Sequence, residues 1–269
     1  MQHAKAFTRG EIMASAAARA LRDGERVLAG TGIPMVAATL AKYTHAPNLS
    51  ILIEAGYAQA MPVHPFVGTA DNRALYRATI FTTALDVNGM VLHRGKVETG
   101  FLTGIEVDVY GNLNLTVAPS WETPKKRVSG GGGANDIASM TDRILIIMKH
   151  ERRRFPERVS HNTAPGHIDG PDGRRKAGLR GKGPEMVFSD LAVLGFDDEN
   201  KRMTLVSLHP GVTLEEVKEN TQFELIIPRH IPTTEPPTQD EQGLIRNTVD
   251  TSGFYTGWKE PKLAWWGKE

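Results

Sequence analysis

The sequence contains no cysteine. Disulfides, thiolate zinc sites, iron–sulfur clusters and a cysteine nucleophile are excluded together. It also lacks an excess of either charge: 32 Lys and Arg stand against 31 Asp and Glu, a formal net charge of +1. That balance argues against a partner that is nucleic acid or an anionic membrane. Long apolar runs are missing too. The longest hold about five residues, far below the ~18 that span a bilayer. The opening Met1-Gln2-His3-Ala4-Lys5 has no signal-peptide core, so a soluble, cytoplasmic protein is the expectation. There is no Gly-x-Ser-x-Gly elbow and no His-Glu-x-x-His, which removes the serine-hydrolase and zincin signatures.

What is present is a chain of 269 residues, 40% hydrophobic and 23% charged. It is long enough for a sizeable core in one large domain or two small ones. Glycine is over-represented, 27 residues against a usual share of about 7%. Such an excess without low complexity points to tight loops where backbone approaches something closely.

Thr8-Arg9-Gly10-Glu11 has the spacing of a capping box and predicts a helix over Glu11–Arg22, with Gly24 beyond its end. Arg26–Ala29 reads as a strand, Gly30-Thr31-Gly32-Ile33-Pro34 as a turn, and Met35–Tyr43 as a second helix. Leu49–Glu54 is a buried strand. This α-β-α-β order favours a parallel sheet covered by helices. Ala78–Val87 has a helical pattern and Gly100–Val107 a strand pattern. Ser129–Asp136 is a second glycine-rich loop before a short helix and the strand Arg143–Met148. Arg152–Lys182 reads as a long ordered basic loop. Strands follow at Met186–Ser189, Leu191–Phe196 and Met203–Leu208, then a helix from Thr213 to Asn220 and a last strand at Phe223–Ile227. The main domain thus spans 1–227. Residues 228–269, with clustered prolines and Trp258, Trp265 and Trp266, form an irregular extension packed on the domain or a partner.

Glu54 is the sharpest candidate. It ends an apolar strand, and Ala55-Gly56 leave space around it. Ligands bind beyond the carboxyl ends of strands in open α/β sheets, and a carboxylate there is costly unless paired or used. A plain strand-end glutamate reaching solvent or an arginine is the other reading. Gly130–Gly133 with Ala134-Asn135 offers consecutive N–H groups that suit a phosphate or an oxyanion; a flexible turn explains them equally. No Lys-Ser/Thr follows, so it is not a P-loop, and Met35 stands where the dinucleotide fingerprint needs its third glycine. Arg174, Arg175, Lys176, Arg180 and Lys182 could bind phosphates or an acidic partner, but a solvated charged loop is the commoner explanation. His161, His167 and Asp169 match no metal-ligand spacing and read as packing or surface residues.

Six segments in order resemble the β subunits of family I coenzyme A transferases, nearest to the glutaconate branch. They are Gly30–Pro34, Ile53–Gly56, Gly104–Asn114, Gly132–Asn135, Lys149–Phe155 and Pro165–Pro171, within a likeness covering roughly Glu11 to Leu225. The resemblance implies a three-layer α/β sandwich around a mostly parallel sheet. It implies a glutamate nucleophile, at Glu54, that moves CoA between an acyl-CoA and a carboxylic acid through a glutamyl-CoA thioester. Gly133 matches the oxyanion donor. Gly30, Gly32, Gly132, Ala134 and Asn135 match the CoA-binding backbone, and Leu28 stands where the 3-oxoacid branch has an asparagine, which leaves a second donor unassigned. CoA is a substrate, with no permanent cofactor and no metal, and an α subunit of similar fold completes the site. Two rivals stand beside it. One is a ring-opening acyl-CoA hydrolase subunit, whose relatives lack the glutamate; Ala55 here replaces the usual serine of the transferase pattern. The other is a non-catalytic nucleotide-binding subunit.

Overall fold

The computed structural model describes residues 2–61, 68 and 71–259. Trp265 and Trp266 lie outside the described residues. In chain order the elements are Arg9–Arg19 (α1), Arg26–Leu28 (β1), Ile33–Tyr43 (α2), Ser50–Ile53 (β2), Tyr57–Ala58 (β3), Ile80–Phe81 (β4), Thr99–Leu102 (β5), Glu106–Val107 (β6), Leu113–Asn114 (β7), Val117–Ala118 (β8), Lys126–Arg127 (β9), Ala134–Met140 (α3), Arg143–Met148 (β10), Gly173–Lys176 (α4), Pro184–Ser189 (β11), Ala192–Phe196 (β12), Met203–Leu208 (β13), Leu214–Glu219 (α5) and Gln239–Leu244 (α6).

Nine strands form one sheet in the order β13-β12-β11-β10-β5-β1-β2-β3-β4. The central run from β11 to β2 is parallel, and antiparallel strands extend it at both ends. Alternate side chains of the parallel strands enter different cores. Val27, Ile51, Ile53, Leu145 and Ile147 pack with α1 and α2. Leu28, Leu52, Ile144, Ile146 and Met148 pack with Ile137 and Ala138 of α3. Burial of both faces is why these strands read as unbroken apolar runs, and it makes the three-layer α/β sandwich.

The box at Thr8 is present: Glu11 N–H donates to the Thr8 hydroxyl (3.1 Å) and Thr8 N–H to the Glu11 carboxylate (2.8 Å). Glu11 is buried, and Arg246 supplies its cation (2.6 and 3.0 Å). A second box, Thr238 with Glu241, caps α6, and the Glu241 carboxylate is held by Arg19 of α1 (3.0 and 2.5 Å). Each capping glutamate thus takes its arginine from the other end of the chain.

Three local readings are corrected. Ala78–Val87 is not a helix: β4 occupies Ile80–Phe81, and a π-type turn covers Asp86–Leu92. Thr79 to Thr83 is rich in β-branched residues that favour strand. Reciprocal hydrogen bonds between Thr83 and Asp86 delay the helix entrance. Gly100–Val107 is split into β5 and β6, with Gly104 at the break, where an added Cβ would fall 2.8 Å from the Asn114 carbonyl. Phe223–Ile227 makes a single bridge, Thr204 to Ile226, and no strand; Pro228 and Pro232 offer no N–H to continue a ladder. The segment after Ile227 also differs from an irregular stretch. It carries α6 and a π-type turn over Ile245–Val249, whose Ile245 and Val249 join the α1–α2 core.

At the amino end of the parallel strands, Arg143 is buried. It bonds the Glu25 carboxylate (2.9 and 3.0 Å), Glu185 (3.0 Å) and the Thr99 hydroxyl (2.9 Å). Removing one partner of such a pair strands the other charge in the interior. Arg143→Met is expected to lower the unfolding free energy by about 3–5 kcal/mol in urea titration. A loss below about 1 kcal/mol would show the pair to be dispensable.

Candidate active site

The parallel strands β1, β2 and β5 end together, and beyond their carboxyl ends lies a cleft of about 370 Å³. Leu28 ends β1, Glu54 follows β2, and Leu102 ends β5; all three line the cleft. One wall is the turn Gly30, Thr31 and Pro34, and the other is Ser129 through Gly132 with Ala134 and Ile137.

Glu54 is half-buried, and burial pushes its carboxyl above the usual glutamate range. Among the described residues no cation or N–H donor bonds this carboxylate. The glycine loop lies close to it. A Cβ added to Gly133 would lie 2.9 Å from Glu54 Oε2, and one added to Gly132 would lie 3.9 Å from Oε1. Glycine is therefore what allows the loop to lie against the carboxylate. Gly132 also has φ +51°, in the left-handed region. Ala134 N–H is taken by the Gly131 carbonyl (2.8 Å). Among the described residues no acceptor is bonded to the N–H of Gly132 or Gly133.

Asn88 was not marked by the sequence. It lies in the π-type turn after β4, and its Nδ2 donates to the carbonyls of Ala84 (2.8 Å) and Glu54 (3.5 Å). Its Oδ1 is buried without a partner and sits 3.5 Å from the Cβ position of Gly133. No motif or spacing carries this residue, since only the folding of β4 beside β3 brings it to the end of β2.

The structure brings Glu54, Gly30, Gly132 and Ala134 together at the cleft, with Gly133 against the carboxylate. Three of the expected residues stand outside its lining: Gly133, Gly32 and Asn135. Gly32 is the N-cap of α2, with φ +93°. The Asn135 amide turns away to the Thr163 carbonyl (3.1 Å). In the basic loop Arg175, Lys176, Arg180 and Lys182 are exposed. Arg174 is a correction. It is buried, burial lowers its pKa to about 10, and it donates to the carbonyls of Gly166 (3.1 Å), Ala138 (3.0 Å) and Arg180. His167 is buried against the Pro184 carbonyl (3.0 Å) and the Phe196 ring, whereas His161 lies beside Trp121. Among the described residues no helix is long and apolar enough to cross a membrane.

The coenzyme A transferase family model matches residues 11–220. Over 250 residues the chain is 35% identical to the β subunit of glutaconate CoA-transferase of Acidaminococcus fermentans, covering 91% of this chain and 93% of that one. It is 34% identical to the β subunit of 3-oxoadipate CoA-transferase of Pseudomonas knackmussii, covering 90% and 93%. It is 32% identical to the cholesterol ring-cleaving hydrolase IpdB subunit of Mycobacterium tuberculosis, covering 90% and 95%. The crystal structure of the Acidaminococcus fermentans glutaconate CoA-transferase superposes with a TM-score of 0.86 at 33% identity, over 95% of this chain and 99% of that one. A sheet with a carboxylate at its strand ends and a glycine loop laid on it is thus the scaffold of a CoA-transferring enzyme. The chain belongs to the coenzyme A transferase family, as a β subunit that works with an α subunit.

Burial raises the folded-state pKa of Glu54, so the ionised form is the one the fold disfavours. The stability this group contributes is complete below its unfolded-state pKa and is lost as pH rises through the folded-state value. Glu54→Gln should therefore melt higher than wild type near pH 7. The gain should shrink as pH falls through the raised pKa. Melting curves that coincide from about pH 4 to 8 would contradict a desolvated carboxylate.

Proposed function

We propose that this chain supplies the nucleophile of a CoA-transferase, Glu54, and that the enzyme works in the cytoplasm with CoA entering only as a substrate. The observation that supports this reading is the close approach of a desolvated carboxylate to Gly132 and Gly133, whose N–H groups bond no acceptor among the described residues. The Glu54 carboxylate attacks the thioester carbonyl of an acyl-CoA. The tetrahedral oxyanion collapses, the C–S bond breaks, and a mixed anhydride and CoA thiolate form. The thiolate attacks the glutamyl carbonyl of the anhydride, releasing the first carboxylic acid and leaving a glutamyl-CoA thioester. The acceptor carboxylate attacks that thioester, and the same steps in reverse return free Glu54 and the new acyl-CoA. Splitting the exchange this way keeps every intermediate an activated carbonyl.

The geometry supports a role for each residue in this reading. Loss of water leaves the Glu54 carboxylate poorly solvated and so more nucleophilic than a free one. Gly133 is assigned as an N–H donor to the oxyanion, with Gly132 beside it. Asn88 holds the backbone carbonyl of Glu54 and so fixes where the carboxylate starts. The apolar lining from Leu28, Phe101, Leu102, Leu115 and Ile137 suits the pantetheine arm, and Gly30 and Ala134 give it close backbone. Gly32 acts one step back by starting α2, and Asn135 by bracing the loop on Thr163. Residues 1–227 are assigned as the catalytic domain, with the segment from Pro228 strapped across α1 and α2.

Mixed with its α subunit and an acyl-CoA, then quenched with borohydride, the protein should yield a mass change on the Glu54 peptide. Glu54→Ala should lose the adduct and the transfer activity together; full activity in that variant would overturn the mechanism. Gly133→Ala should lower kcat by about 100- to 1,000-fold, because its methyl group displaces the carboxylate as well as hindering the donor. The acidic limb of kcat/KM should fall with an apparent pKa above the ordinary glutamate range, since the reactive form is the ionised one. Free CoA released at one rate with and without a carboxylate acceptor would favour hydrolysis over transfer.

A further inference from the structure

The family match covers residues 11–220, and the turn at residues 250–258 lies after it. This turn is built around the buried carboxylate of Asp250. The carboxylate accepts the N–H groups of Phe254 (3.0 Å), Tyr255 (3.0 Å) and Thr256 (2.8 Å) and the Thr256 hydroxyl (2.8 Å). The Trp258 indole N–H donates to the Asp250 carbonyl (2.7 Å). The turn is also pinned to the start of α1. Thr8 donates its hydroxyl to the Thr256 carbonyl (2.6 Å), and a Cβ added to Gly10 would fall 2.5 Å from that same oxygen. Tyr255, half-buried, is carried by this turn to the start of α2. A Cβ added to Gly32 would lie 4.0 Å from Tyr255 Cδ1 and Cε1, within ordinary packing distance. Burial, with the Asp250 carboxylate, pushes the Tyr255 phenol above its usual range, and the Gly32 N–H facing its oxygen works the other way.

We propose that Tyr255 is a positioning residue of the active site: its ring props the turn of Gly30, Thr31 and Gly32 where that turn lines the cleft. The turn needs support from outside. Gly32 starts α2 with φ +93° and no side-chain cap, and a Cβ added to Gly30 would meet nothing within 4 Å. Gly30 and Thr31 nevertheless form a wall of the cleft. Asp250 fixes the Tyr255 backbone and α1 fixes the turn around it, so the ring cannot retreat without breaking those bonds. Loss of the ring lets the wall recede from a bound acyl-CoA. In that reading the wall takes the CoA part, which ground state and transition state hold alike. The loss therefore falls on binding rather than on the chemical step. The proposal rests on the cleft accepting acyl-CoA; it does not need Glu54 to be the nucleophile.

The test uses the full chain with its α subunit. Tyr255→Ala should raise KM for acyl-CoA, and the calorimetric Kd of free CoA, by about tenfold, with kcat within about twofold of wild type. Tyr255→Phe keeps the ring and should stay within about threefold of wild type on both. Val249→Ala, in the core of the same layer, should lower the melting temperature and leave KM unchanged. In the wild-type complex, CoA should slow amide exchange at residues 252–258 as well as at 29–34. That measurement decides the matter even if Tyr255→Ala fails to assemble. A folded Tyr255→Ala with wild-type KM and Kd overturns the proposal, as does protection confined to 29–34. An equal rise in KM from Val249→Ala also overturns it, by reducing Tyr255 to packing. Borohydride trapping keeps the two readings apart. If the wild type yields no Glu54 adduct but Tyr255→Ala still loses CoA affinity, the mechanism fails and the prop stands.

Discussion

A carboxylate gives up favourable hydration when apolar walls close around it, and an ion pair is the usual compensation. At Glu54 no ion pair supplies that compensation among the described residues, and the carboxyl end of the sheet is shaped by the fact. A cation beside the carboxylate would lower its basicity and its reactivity together. Instead the glycine loop lies against it, and a Cβ on Gly133 would fall 2.9 Å from Oε2. Such closeness requires residues without side chains, which explains Gly132 and Gly133. It also requires a fixed starting point, which β2 and Asn88 provide.

The same strands are treated in the opposite way at their other ends. Glu25, Thr99 and Arg143 gather where β1, β5 and β10 begin, and there every buried charge has a partner. The sheet thus has a paired end and an unpaired one. Ligands of open α/β sheets bind beyond the carboxyl ends of the strands, the end left unpaired here.

Much of this was legible in the sequence because it depends on local signals. The capping box at Thr8, the apolar strands buried on both faces, and Glu54 ahead of Ala55-Gly56 each carry their meaning within a few residues. The six ordered segments add the family. What was not legible depends on distant contacts. Asn88 matters only because β4 returns beside β3. Arg174 is buried only because carbonyls from three other segments converge on it. The helix α6 is a different failure. Thr238 and Glu241 have the spacing read correctly at Thr8, but Pro232, Pro236 and Pro237 before them gave the stretch the look of irregular chain.

The exchanged arginines of the two capping boxes carry a consequence for biosynthesis. Glu11 is fully buried, but its cation, Arg246, lies 235 positions later in the chain. While the polypeptide emerges from the ribosome, α1 can wind but cannot be sealed into place. Its buried carboxylate stays without this counter-ion until Arg246 has been made. A chain stopped before Arg246 therefore exposes an open layer that chaperones and proteases can recognise.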